Sequence, residues 1–199
     1  MPTLLWIVIA LLMGSIPFSL LLGKIFLRKD IRDFGDRAPG ATNVARAGGR
    51  VLYIVAVLCD AFKGTVPVCL AQLISQVDGC GLAAVAVAPV LGHAFSPFLK
   101  FRGGMGVATT FGVWLGLTGW IGPFAIGAAI GIMFAIQKNW VWASVGGMLG
   151  LLIMLIILKF PAQFAVVCLA HSAILAGKRY TYFKSWPELQ PWLIGRKGK

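Results

Sequence analysis

The chain has 199 residues, of which 59% are hydrophobic and 12% charged. A soluble domain carries about 25% charged residues, so an ordinary water-soluble fold is excluded and lipid is the expected solvent. The 18 Lys and Arg against 6 Asp and Glu give a net charge of +12, an excess that in so apolar a chain reads as membrane orientation, with no nucleic-acid partner expected.

Apolar runs long enough to cross a bilayer, or nearly so, cover 4–27, 51–75, 81–99, 107–118, 120–136, 142–158 and 161–176. The expected fold is therefore an all-α integral membrane protein: a compact bundle of about seven transmembrane helices, one membrane-embedded domain over 1–199 with an interfacial tail at 179–199. The opening run has no basic head before it and no clean cleavage site after it, so it reads as a retained span and not a signal peptide. The run 107–118 is short, and Gly119 with Gly122-Pro123 reads either as a tight turn between two helices or as a kink in one, which leaves six spans open.

Basic residues cluster at 24–50, at Lys100 and Arg102, at Lys138 and at 178–199, while the intervening turns carry Asp78 and Lys159. By the positive-inside rule this alternation places the N-terminus outside and the basic loops and C-terminus in the cytoplasm. Trp6, Trp120, Trp140, Trp142, Trp186 and Trp192 fall mostly near expected span ends, where amphipathic rings favour the headgroup zone. Cys59, Cys69, Cys80 and Cys168 are scattered in apolar runs without a Cys-x-x-Cys pair, so they read as small buried residues and neither as zinc ligands nor as a disulfide framework.

Three polar stretches carry the chemistry. In the first loop, Gly40, Ala41 and Thr42 let backbone amides approach an anion. Thr42 and Asn43 add side-chain hydrogen bonds, and Arg46 lies one helical turn beyond Thr42. The competing reading is a helix cap followed by a positive-inside loop. Asp60 and Lys63 share one helix face in an apolar span, either as a functional pair in which Lys63 reaches a phosphate and Asp60 orients it, or as a structural pair. The third stretch runs from Gly92-His93 through Lys100, Arg102 and the glycines Gly103, Gly104 and Gly106 into a new apolar helix. Its free amides and helix N-terminus outline a phosphate cradle. His93 reads as a ligand, a proton carrier or a capped interfacial side chain.

Gly14-Ser-Ile-Pro-Phe18, Pro39-Gly-Ala-Thr-Asn-Val-Ala-Arg46, Asp60-Ala-Phe-Lys-Gly64, Gly92-His-Ala-Phe95 and Lys100-Phe-Arg-Gly-Gly-Met-Gly-Val-Ala-Thr109 keep order and spacing over about residues 10–115. This set resembles the bacterial acyl-phosphate:glycerol-3-phosphate acyltransferases, the PlsY family. The resemblance implies acyl transfer from acyl phosphate to the 1-hydroxyl of sn-glycerol 3-phosphate, giving lysophosphatidic acid and phosphate. It implies no cofactor, metal or coenzyme A, and places the chain in the bacterial inner membrane with its site facing the cytoplasm. Its partners are acyl phosphate, glycerol 3-phosphate and membrane lipid, with the oligomeric state left open.

Carried over by position, Asn43, Lys63 and His93 are the catalytic candidates. Thr42, Arg46, Lys100, Gly103, Gly104 and Gly106 are the phosphate-binding candidates, and Asp60 is the orienting residue. The family usually has Gly-Ser-Gly-Asn where this chain has Gly35-Asp36-Arg37-Ala38, and Gly-Gly-Lys-Gly where this chain has Met105. Arg37 is the candidate replacement for the lost cation. Ser144 and Lys178 stand where the family carries a hydroxyl motif and a late His, and Lys178 joins the phosphate-binding set. These departures keep a non-catalytic paralogue, binding an acidic lipid or a phosphometabolite, as the alternative.

Overall fold

In lipid, backbone N–H and C=O groups must be satisfied within the protein, and this chain satisfies them by forming helices. The computed structural model describes residues 2–178 and 188–190. Its α-helices are α1 (Thr3–Ser15), α2 (Phe18–Leu22), α3 (Ala41–Arg46), α4 (Arg50–Ser75), α5 (Gly79–Ala94), α6 (Val107–Thr118), α7 (Ile121–Ile136), α8 (Trp140–Ile157) and α9 (Ala162–Lys178). A π-helical turn, Gly23–Leu27, extends α2, and single 3₁₀ turns occupy Ile31–Asp33 and Pro97–Leu99. Among the described residues, four helical segments are long and apolar enough to cross a membrane: Thr3–Leu27, Arg50–Ser75, Gly79–Leu99 and Trp140–Ile157. Val107–Thr118, Ile121–Ile136 and Ala162–Lys178 are shorter apolar helices.

The first run is not one uninterrupted helix. Pro17 has no N–H to give the helix ladder, so α1 stops at Ser15 and α2 begins at Phe18. The carbonyls exposed at the break find side-chain donors from distant parts of the chain. The Ser96 hydroxyl donates to Ser15 O at 2.6 Å, and the Lys63 ammonium donates to Ile16 O at 2.8 Å. Between α6 and α7 the question of kink or turn is settled by Gly119, whose φ of 61° separates two helices.

Glycines let two helix pairs approach closely. A Cβ on Gly14 would collide with the Pro89 backbone and one on Gly92 with Leu11 O, which fixes α1 against α5. Cβ atoms on Gly64 and Gly112 would collide with Thr109 O and Ala61 O, which fixes α4 against α6. The core closes around fully buried Trp114, edge-on to Phe164 at 6.2 Å and to His171 at 6.1 Å.

Trp6, near the start of α1, is 4% exposed, and its indole N–H donates at 2.8 Å to the hydroxyl of Ser75, the last residue of α4; the expectation for the cysteines needs correction. Of the cysteines only Cys168 is buried; Cys59 and Cys69 are half-buried and Cys80 is exposed. Trp186, Trp192 and most of the expected tail lie outside the described residues. Within 188–190, Leu189 forms an antiparallel bridge with Gln137, and Gln190 N–H donates to Ile136 O at 2.9 Å.

Candidate active site

The first polar loop is organised by its own side chains. Asp30 caps the turn Ile31–Asp33 by accepting from Arg32 N–H. Hydrogen bonds from the Arg32 guanidinium hold the Asp30 carboxyl down at about 2. Further on, Asn43 is 1% exposed. Its amide donates to Asp36 Oδ1 at 2.9 Å and to Ala38 O at 2.8 Å, and its Oδ1 accepts from Arg46 at 3.1 Å. A cap-like loop and an anion-facing loop were both open readings. The bonds are those of a folded loop pinned onto α3, with Thr42 and Asn43 left on a cavity wall.

Asp60 and Lys63 lie on one face of α4, both 3% exposed. Lys63 Nζ is 2.7 Å from Asp60 Oδ1 and 5.9 Å from the centre of the Phe18 ring. The Ser19 hydroxyl donates to Asp60 Oδ2 at 2.8 Å. Charges this deep persist only when paired and hydrogen-bonded. Lys63 is thus turned toward Asp60 and the Pro17 break, and it does not line the cavity, whereas Asp60 does.

At the end of α5, His93 Nδ1 lies 3.8 Å from Asp60 Oδ1, and His93 also lines the cavity. The glycine loop wraps this histidine. A Cβ on Gly103 would strike His93 O, and one on Gly104 would strike His93 Nε2. Gly106, with φ of 85°, turns the chain into α6. Gly106 and the first turn of α6 line the cavity, while Gly103 and Gly104 serve the packing of His93. Among the expected cations, Arg37 is exposed with left-handed backbone, φ 60°, and Lys100 is exposed at the end of the turn Pro97–Leu99. Lys178 Nζ stands 5.1 Å from the Phe95 ring centre, which brings the end of α9 beside the end of α5. Ser144 is buried in α8, donating to Trp140 O at 2.9 Å.

The cavity measures about 350 Å³. Its polar wall holds Asp36, Thr42, Asn43, Asp60 and His93, and its apolar wall holds Tyr53, Val57, Ala61, Phe111 and Trp140. Neither Lys nor Arg is among the described residues that line it. Tyr53, Val57 and Ala61 repeat every four residues on α4, so they form one stripe, facing the stripe of Val107 and Phe111 on α6. Sequence reasoning missed Ser19, Tyr53, Phe111 and Trp140. For Trp140 the span-end aromatic was a usable signal; for Ser19 nothing short of the helix contact was.

The fold and this site define a helical membrane protein with a cavity, polar on one wall and apolar on the other, at one end of the bundle and backed by a buried ion pair. The chain belongs to the glycerol-3-phosphate acyltransferase family, whose sequence profile matches residues 4–183. A glycerol-3-phosphate acyltransferase of Nitratidesulfovibrio vulgaris is 48% identical over 120 residues, covering 60% of this chain and 36% of the relative. One of Desulfovibrio desulfuricans is 37% identical over 203 residues, covering 92% of this chain and 84% of the relative. The chain thus spans about a third of the first relative's length and most of the second's. The crystal structure of PlsY, an integral membrane glycerol 3-phosphate acyltransferase in its glycerol 3-phosphate form, superposes with a TM-score of 0.82 at 26% identity, covering 99% of this chain and 94% of that one.

Proposed function

We propose that this chain transfers a fatty acyl group from acyl phosphate to sn-glycerol 3-phosphate, forming lysophosphatidic acid and inorganic phosphate for phospholipid synthesis. The observation that carries the reading is the cavity itself, which joins a hydrogen-bonding wall and the first turn of α6 to an apolar wall of α4, α6 and Trp140. An activated phosphate anhydride with a fatty tail needs those surfaces side by side: amides and a helix N-terminus for phosphate, and an apolar wall for the chain.

The chemistry asks little of the protein beyond position and charge. The acceptor hydroxyl oxygen bonds to the acyl carbon and the carbon–oxygen bond to phosphate breaks. Phosphate leaves with the electron pair and takes up the hydroxyl proton. Asn43 and Thr42 hold the acceptor, and His93, oriented by Asp60, faces the reacting groups. Lys63 acts through Asp60, by holding that carboxylate in place. Arg46, Arg37, Lys100 and Lys178 supply positive potential around the mouth. Gly103 and Gly104 position His93, and Gly106 opens α6 toward the phosphate.

The topology that suits this reading has seven spans in a bacterial inner membrane, the N-terminus outside and the cavity at the cytoplasmic face. An enzyme is favoured over a non-catalytic binder because His93 and Asn43 share the cavity wall. The test is lysophosphatidic acid formation by purified protein in vesicles. Replacing His93 with Ala should lower kcat by roughly 100-fold or more, and an unchanged rate would remove it from the site.

A further inference from the structure

The apolar wall of the cavity takes Trp140 from the loop between α7 and α8, and that loop is fastened by a distant part of the chain. A helix leaves its last carbonyls without partners of its own. At the end of α7, Gln137 is extended, with φ of −144° and ψ of 163°, and it pairs antiparallel with Leu189. Gln190 then satisfies two of the open carbonyls. Its backbone N–H donates to Ile136 O at 2.9 Å, and its side-chain amide donates to Phe134 O at 2.7 Å. On the other side of the bridge, Lys138 N–H donates to Glu188 O at 2.9 Å. Within the loop, Gln137 is 2% exposed and its side-chain amide donates to Asn139 O at 2.9 Å. The Asn139 side chain in turn caps α8 by accepting from Val141 N–H. The start of α8 is therefore fixed, and Trp140 is its first residue. The Phe134 ring lies 5.1 Å from the Trp140 ring, with the two planes 35° apart.

We infer that residues 188–190 form a strap that positions Trp140, and that Gln190 thereby sets how tightly the cavity holds the acyl chain of the donor. Trp140 is 46% exposed, so its plane is set by the few groups that lie against it, and the residue that carries one of them, Phe134, is held through its carbonyl by Gln190. Trp140 shares the apolar wall with Tyr53, Val57 and Phe111. An indole presented at a fixed angle among those side chains gives an acyl chain a ready-made surface, with less ordering to be done on binding. Without the strap the end of α7 is free to fray, and Phe134 and Trp140 move with it. Asn43, Asp60 and His93 lie on other elements and keep their places. The strap thus acts on donor binding and not on the chemical step. This inference rests on the acyl transfer proposed above for its kinetic readout, and on the hydrogen bonds of the strap for its binding readout.

The experiment measures kcat and KM for palmitoyl phosphate and for glycerol 3-phosphate in lipid nanodiscs. The proteins are the native chain, Gln190→Glu, Gln190→Pro, Trp140→Leu, and each Gln190 variant combined with Trp140→Leu. Gln190→Glu keeps the shape and the backbone bond and removes the side-chain donor, whereas Gln190→Pro removes both donors. Each should raise KM for palmitoyl phosphate by roughly 3- to 10-fold, Pro more than Glu. The kcat and the KM for glycerol 3-phosphate should stay within about twofold of native. Added to Trp140→Leu, either Gln190 variant should have no further effect, because the strap acts through that ring. A rise in both KM values, a fall in kcat with the donor KM unchanged, or additive effects in the double variants overturns the inference. If Gln190→Pro does not fold, Gln190→Glu decides the same comparisons. If no preparation transfers acyl groups, the proposed reaction fails, and titration with hexadecylphosphonate, whose chain cannot be transferred, still decides the inference. Binding weaker by roughly 3- to 10-fold in the Gln190 variants upholds it, and unchanged binding overturns it.

Discussion

Removing the Lys63 ammonium leaves the Asp60 carboxylate at 3% exposure with the Ser19 hydroxyl as its donor, and leaves Ile16 O without its side-chain partner. Breaking a buried pair by one partner costs about 3–5 kcal/mol. Lys63→Ala should therefore lower the unfolding temperature in detergent sharply, while the paired change Asp60→Asn with Lys63→Met should recover much of the loss; a Lys63→Ala protein as stable as the native one would contradict the arrangement. At the surface the scale is smaller. Arg32 holds the Asp30 carboxyl at about 2, below its ordinary 3.8. A depressed carboxyl stabilises above its unfolded value and loses that contribution as pH falls through the folded one. Because the pair is exposed and Asn caps as well as Asp, Asp30→Asn should cost about 0.2–1 kcal/mol at neutral pH. The difference between native and variant should vanish near pH 2, as chemical denaturation across pH would show. The i,i+3 spacing made the Asp60–Lys63 pair legible in the sequence. Its direction was not, since the carbonyl that Lys63 bonds is freed by a proline 46 residues earlier, near a residue that periodicity cannot bring into contact.

The elements themselves were largely legible because lipid-facing runs announce their lengths. The run 107–118 became α6 with the same ends, and the second run differs from α4 by a single residue at its start. What hydropathy could not resolve was the break inside the first run, since Leu20, Leu21 and Leu22 beyond Pro17 keep the segment apolar while the ladder is interrupted. That break depends on Ser96, which is 1% exposed and reaches Ser15 O. Ser96→Ala leaves a buried carbonyl unpaired and should cost about 1–3 kcal/mol, visible as a lowered unfolding temperature; replacement without loss would show that the break holds itself. The glycine loop was read as an anion cradle by composition. Its Gly103 and Gly104 also give His93 its room, a role set by side-chain approach across the loop and invisible to spacing.

At the scale of the whole molecule, charge along the chain predicts an orientation that the native cysteines can report. Cys80, exposed at the start of α5, lies on the turn that the positive-inside pattern places outside. In intact cells or right-side-out vesicles a membrane-impermeant maleimide should label Cys80, and protection there with labelling only after permeabilisation would invert the topology. The family was legible from five motifs in order, whereas the apolar wall of the cavity was not, because Tyr53, Val57, Phe111 and Trp140 meet the polar loops only in the folded bundle. The measurement that tests the central claim is product analysis with purified protein in lipid vesicles, palmitoyl phosphate and glycerol 3-phosphate, with palmitoyl-coenzyme A as a parallel donor. Lysophosphatidic acid with release of inorganic phosphate from the acyl phosphate, and none from the thioester, is the expected result; folded protein that yields none from acyl phosphate would contradict it.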